Sequence, residues 1–356
     1  MKIIIELSHP KHFYQFRYIM NHHQRNGDKI VVLARDKDVL IDLLEANGIE
    51  YVIPGKHGKS IFSKLFITPK IIFNYIKTVR KFKPDTILSK ASPYAVFAKP
   101  FCKAKLAIFP DSEVVKLTNK FVAPQSDLIV TPNNFSVDYG HNHKRVGGFF
   151  EETYLAPGAF IPDIQVLKEY GISPNTPFFV LRFIGWSANH DKGEFGFSNQ
   201  EKENLVELLK PHGKVFITAE KGSVPESLLP YVSKVPAKDI HHLLHFAQIY
   251  IGDSQTMATE AALLGTPSLR YNSFVGQHDM SNFKVLENTY GMLKNFNDFS
   301  FLMKEANKML GNPSLKQDFL ERRKNYFTDK PDLNHEIIQL LNNLNQEASS
   351  THKSQL

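Results

Sequence analysis

The chain has 356 residues, of which 42% are hydrophobic and 22% charged, which suits about two globular domains with a sizeable core in each. A single cysteine, Cys102, excludes an internal disulfide framework and suits a reducing compartment. No stretch reaches the ~18 apolar residues of a membrane span, and the three isoleucines of MKIIIELSHP are too few for a signal peptide, so a soluble, cytoplasmic protein is expected.

Short apolar, β-branched runs alternate with longer helical patterns, the signature of parallel sheets with crossover helices. In the first half, strands are predicted at residues 2–7, 29–34, 49–53, 85–89, 105–109 and 127–130, with helices at 13–25 and 36–47. Gly48 is well suited to end the second of these helices. Residues 61–82 read as a long helix interrupted near Pro69. Residues 155–162, LAPGAFIP, have the composition of a linker. The second half predicts strands at 178–183, 214–218, 249–252 and 268–271, and helices at 199–210, 239–246, 255–264 and 299–310. The expected domains are 1–157 and 158–330, followed by a closing helix over 331–345 and a disordered tail over 346–356. Two doubly wound α/β domains facing each other across a cleft are the expected architecture. Their chemistry belongs beyond the carboxyl ends of the strands.

After the first strand stands Ser8-His9-Pro10-Lys11-His12, where a dinucleotide-binding domain would carry G-x-G-x-x-G. A nicotinamide or flavin dehydrogenase is thereby disfavoured. His9 and His12 are candidates for general acid/base work, because imidazole titrates near neutral pH. The bland alternative for each is a solvated or structural histidine. Asp111 and Glu113, after the fifth strand, are the next catalytic candidates, or else helix N-terminal caps.

The net charge of +7 is carried by the first half. Lys56, Lys59, Lys64, Lys70, Lys77, Arg80, Lys81 and Lys83 occur with no acidic residue between Tyr51 and Pro84. This stretch is either a solvated helix face or a surface for an anionic membrane or acceptor. No nucleic-acid-binding motif accompanies it.

In the second half an apolar strand ends at Gly252 and runs into Asp253-Ser254-Gln255-Thr256, then into a helix carrying Glu260. Backbone amides and hydroxyls at a helix N-terminus suit a diphosphate. Glu260 is placed to accept bonds from ribose hydroxyls, or else complements the helix dipole. Arg182, at the end of the domain's first strand, is placed to hold a leaving diphosphate, with an inter-domain salt bridge as the alternative. Glu220-Lys221-Gly222-Ser223 is a weaker loop candidate, and Gly276-Gln277-His278-Asp279 could line the acceptor side. His241 and His245 share a helix face, but no H-E-x-x-H pattern is present and no metal site is expected.

The ordered segments HPKHF, LARDKD, GKHGKS, FKPD, FPDSE, GFFEETYL and GDSQTMATEAALLGTP resemble the family catalogued as domain of unknown function 354. That family is GT-B-like and distantly similar to UDP-N-acetylglucosamine 2-epimerases and GT-B glycosyltransferases. The resemblance spans roughly residues 1–325. It implies a GT-B fold and a nucleotide diphosphate sugar as ligand: Ser254 and Gln255 fall at diphosphate positions and Glu260 at the ribose position. Two departures stand out: Gln255-Thr256 replaces the paired glycines of the epimerase turn, and His9-Pro10-Lys11-His12 replaces the epimerases' Arg-Pro-Glu.

The leading expectation is a metal-independent glycosyltransferase with a UDP-linked donor, held by Arg182, Ser254, Gln255, Thr256 and Glu260, acting in surface polysaccharide or glycan synthesis. The basic stretch would then meet the inner face of the membrane. The alternatives are an epimerase or hydrolase of nucleotide sugars and a non-catalytic nucleotide-sugar-binding protein.

Overall fold

The computed structural model describes residues 1–37, 39–55, 61–113, 115, 117–173, 176–186, 194–220, 222–276 and 279–353, without the side chains of 61–66, 119 and 347–353. Lys56, Lys59, Lys221, Gln277 and His278, and the side chain of Lys64, therefore lie outside the described residues. The chain divides into two units, one comprising Met1–Tyr154 with Pro331–Leu356, the other Leu155–Lys330.

The first unit runs β1 (Lys2–Leu7), α1 (Pro10–Arg25), β2 (Lys29–Ala34), α2 (Leu40–Ala46), β3 (Tyr51–Val52), α3 (Ile61–Phe82), β4 (Thr86–Ser89), α4 (Pro93–Ala98), β5 (Lys105–Ile108), β6 (Leu128–Pro132) and β7 (His143–Val146). Its seven strands lie in the order β3-β2-β1-β4-β5-β6-β7, and every pairing is parallel. Strands covered on both faces read as unbroken apolar runs; Ile3, Ile4, Ile5 and Leu7 are buried accordingly. Gly48 takes φ 64° just past α2, where a side chain would be strained. The helix α3 continues through Pro69 as one element rather than breaking there. Its inner stripe, Ile71, Tyr75 and Val79, is buried.

The chain then forms α5 (Glu152–Leu155), α6 (Val166–Glu169), β8 (Phe178–Phe183), α7 (Asn199–Leu209), β9 (Lys214–Ala219), α8 (Ile240–Phe246), β10 (Ile249–Gly252), α9 (Gln255–Leu263), β11 (Ser268–Tyr271), α10 (Ser281–Asn288), β12 (Leu293–Phe296), α11 (Phe299–Leu310) and α12 (Leu315–Phe327). The five strands of the second unit are parallel in the order β12-β11-β10-β8-β9. Leu181, Ile217, Ile251 and Leu269 form its core with Leu205, Leu302 and Phe319 from the helices. The last helix, α13 (Leu333–Lys353), returns to the first unit. It runs past Asn345, so residues 346–353 are helical where a disordered tail is predicted. No helix among the described residues is long and apolar enough to cross a membrane.

Candidate functional site

Each sheet has one place where the strand order reverses direction, and ligands of open α/β sheets collect there. In the second unit it lies between β8 and β10, whose register pairs Arg182 with Gly252. Arg182, near the end of β8, and Ser254, Gln255 and Thr256, just after β10, thereby stand at the carboxyl ends of adjacent strands. Ser254 caps α9, its hydroxyl accepting the Met257 N–H at 3.4 Å. Gly252 is required by close packing, since a Cβ there would lie 2.3 Å from the Tyr250 hydroxyl and 2.9 Å from the Arg182 carbonyl. The Arg182 guanidinium lies 3.5 Å from Glu220 of the same unit. Its Nε is buried with no hydrogen-bond partner among the described residues.

Just after β10, Asp253 organises the loop that follows β8. Its Oδ1 accepts the Ile184 N–H at 2.9 Å and its Oδ2 accepts the Trp186 indole N–H at 3.1 Å. Burial pushes the Asp253 carboxyl up to about 6, against the two donors that favour its charge. This role is not visible in the sequence, because its partners lie 67 and 69 positions away.

Glu260 is buried, with Oε1 3.3 Å from Nε2 of the equally buried His241 on α8. It thus takes part in the packing between α8 and α9. His245 on the same helix instead places Nδ1 2.9 Å from the Leu264 carbonyl. Among the described residues, no three His, Cys, Asp or Glu side chains are grouped to hold a metal ion.

In the first unit the reversal lies between β1 and β4. His9 caps α1: its Nδ1 accepts the Lys11 N–H at 3.2 Å, and Pro10 opens the helix. His12 is buried and its Nδ1 accepts the Ser8 N–H at 3.2 Å. Burial, reinforced by the Lys90 charge, holds the His12 imidazole well below its ordinary value. With Nδ1 occupied by a backbone donor, the proton of each neutral ring belongs on Nε2. In that tautomer both histidines offer a donor from Nε2.

Asp111 pairs with Lys11 and lies 3.7 Å from Lys90. Burial raises its carboxyl, but Lys11, Lys90 and His12 together hold it well below the usual carboxylate range. Asp111 is thus held as an anion by the cations around it. Burial lowers the Lys90 ammonium to about 8 despite Asp111; Lys90 also donates to Gln15 at 2.9 Å and lies 4.4 Å from the Phe150 ring centroid. Glu113 stands apart, its carboxylate accepting the Ser136 N–H.

A cavity of about 310 Å³ opens at this same reversal, with Glu6, Ser8, Lys90 and Ser92 in its lining. Glu6 Oε2 accepts hydrogen bonds from Ser89 at 3.0 Å and Tyr75 at 3.5 Å. Burial raises the Glu6 carboxyl to about 7, against these hydroxyls and that of Ser92. Glu6 and Lys90 were not singled out by sequence pattern; the visible signal was Glu6 itself, an acid interrupting the apolar run of a central strand.

Two parallel-sheet Rossmann-like units of this kind define a GT-B-like α/β protein. Residues 1–154 match the family model described as "Protein of unknown function (DUF354)", the resemblance expected from the motifs above. An uncharacterized protein of Methanocaldococcus jannaschii is 22% identical over 287 residues, covering 76% of this chain and 81% of that protein. Among solved structures, UDP-GlcNAc 2-epimerase from Neisseria meningitidis bound to UDP-GlcNAc aligns over 96% of this chain and 99% of its own, at 13% identity and a TM-score of 0.66. MurG of Acinetobacter baumannii aligns over 96% of this chain and 100% of its own, at 14% identity and a TM-score of 0.57. These structural likenesses concern the fold.

Proposed function

We propose that the protein is a glycosyltransferase that takes a nucleotide diphosphate sugar, UDP-linked, in its second unit and an acceptor hydroxyl in its first. The observation that supports this reading is the pairing of Arg182 with Gly252 at the β8–β10 reversal, two residues before Ser254, the N-cap of α9. A guanidinium and a helix N-terminus are both sources of positive charge for a diphosphate. The fold is shared with an epimerase bound to UDP-GlcNAc, which supports the ligand class.

In the transfer, the acceptor oxygen bonds to the anomeric carbon while the bond from that carbon to the diphosphate oxygen breaks. The nucleotide diphosphate leaves with the electron pair, and Arg182 and the α9 amides stabilise its charge without a metal. The acceptor proton passes to Glu6, whose carboxyl at about 7 is partly ionised at neutral pH and suited to general-base work. His9 and His12 orient the acceptor through Nε2–H. Glu260 contacts the ribose, and the basic outer face of α3 rests on an anionic membrane at the cytoplasmic side.

The test is a thermal-shift screen of nucleotides and nucleotide sugars, followed by product analysis with and without added acceptors, before and after EDTA treatment. Acceptor-dependent transfer that survives EDTA is expected. Conversion of the nucleotide sugar to an epimer without an acceptor would instead establish the epimerase reading.

A further inference from the structure

The cavity at the β1–β4 reversal has features that packing alone does not call for. Parallel strands buried on both faces are built of apolar residues, yet β1 places Glu6 in the cavity lining, one residue before its end. Three hydroxyls, from Tyr75, Ser89 and Ser92, converge on that carboxyl from α3, β4 and the start of α4. Between two lining residues, Lys90 and Ser92, stands Ala91 at φ 65°. A residue with a Cβ in the left-handed region is strained, and such strain gathers at binding sites. At the rim, Arg35 lines the cavity and has no carboxylate partner among the described residues. The lining also includes the apolar side chains of Leu33 and Ile71.

We propose that this cavity binds a small polyhydroxylated anion, a single sugar unit bearing a carboxylate or phosphate, whose hydroxyls bond to Glu6 and whose charge is met by Arg35. A sugar ring presents both hydroxyls and apolar C–H faces, matching a lining that combines a carboxyl and hydroxyls with aliphatic side chains. The volume of about 310 Å³ lies at the small end of ligand pockets and suits one ring rather than a nucleotide sugar. A guanidinium at the rim selects a charged substituent over a neutral one. Calling this molecule the acceptor rests on the transferase reading; its binding does not, and is tested without any donor.

The full chain, labelled at Ile and Leu methyl groups, is titrated with D-glucuronate, D-glucose 6-phosphate and neutral D-glucose. Saturable shifts at the Ile71 and Leu33 methyls are expected with the charged sugars, at least about tenfold tighter than with glucose. Arg35→Gln, at a partly exposed position, should erase that preference, and Glu6→Gln should weaken both charged sugars about tenfold, with UDP affinity unchanged in each variant. The two charged probes separate carboxylate from phosphate. If neither charged sugar moves these methyls, or if glucose binds as tightly and Arg35→Gln changes nothing, the proposal is overturned. UDP binding in the same samples reports on the second unit separately, so that failure here leaves the donor reading standing.

Discussion

Nδ1 of His12 lies 3.2 Å from the backbone N–H of Ser8, so the nitrogen that a general base would use is already taken. The native ring is held neutral by burial and by Lys90, whereas an unfolded histidine titrates near 6.5. Because the native state resists the proton and the unfolded state accepts it, stability is retained above about pH 6.5 and lost as the pH falls below it. Urea denaturation should therefore show wild type weakening between pH 7.5 and 5.5. His12→Asn keeps an acceptor for the Ser8 N–H without a titrating ring, and should lose less over the same range. Parallel profiles would mean that His12 is protonated as readily in the native state as in the unfolded one.

Glu260→Ala should affect folding as well as donor binding. Removing the carboxylate deprives buried His241 of a partner 3.3 Å away, at a cost of about 1–3 kcal/mol in stability. Loss of ribose contacts should separately weaken UDP about ten- to a hundredfold. A double-mutant cycle with His241→Ala separates the two effects, since only the stability loss should be coupled to His241. Full UDP affinity in a folded Glu260→Ala variant would leave Glu260 with the packing role alone.

Asp253 holds the chain's single tryptophan through Trp186 Nε1 at 3.1 Å. Its carboxyl is raised to about 6 by burial, so it should gain a proton as the pH falls from 7 to 5. Trp186 emission should change with a midpoint near pH 6. Asp253→Asn, which cannot accept from both Ile184 and Trp186 at once without turning an N–H toward a donor, should abolish this titration. It should also loosen the loop that carries Trp186. An unchanged transition in the variant would assign the titration to another group.

The strands that the sequence marks plainly are β1, β8 and β10, where Ile3–Ile5, Phe178–Leu181 and Ile249–Ile251 are buried apolar runs. The edge strands β7 and β12 escape such reading because HKRV and LKNF each bury a single residue, Val146 and Leu293. The same limit governs the sites. The Ser254 turn is legible because strand, cap and helix are contiguous. Glu6 meets Tyr75 and Ser89 only after the chain has travelled 69 and 83 positions, and nothing in the local pattern links them. The histidine tautomers are set by backbone amides, which no side-chain motif reports.

The basic helix supplies the last prediction. On α3 the exposed positions Lys70, Phe73, Lys77, Arg80 and Lys81 lie outward, while Ile71, Tyr75 and Val79 are buried in the unit. Among the described side chains of this helix, Ile71 is buried, Ile67, Ile72 and Ile76 are half-buried, and Phe73, which is 67% exposed, is the large apolar one presented. Arg80 lies 5.7 Å from the ring centroid of Phe101, itself 47% exposed, which extends the same mixed surface. With several cations and few apolar groups among its described side chains, such a face should bind anionic bilayers by electrostatics more than by insertion. Each cation near such a surface contributes about 1 kcal/mol, and the effect is screened by salt. Co-sedimentation with phosphatidylserine-containing vesicles should be reversible and lost at high salt, with none on neutral vesicles. Reversing Lys70, Lys77, Arg80 and Lys81 to Glu should abolish it without altering UDP affinity, whereas Phe73→Ser should reduce it only modestly. If wild type shows no preference for anionic vesicles even at low salt, the charge of α3 is a solvated face and the acceptor must be sought among soluble molecules.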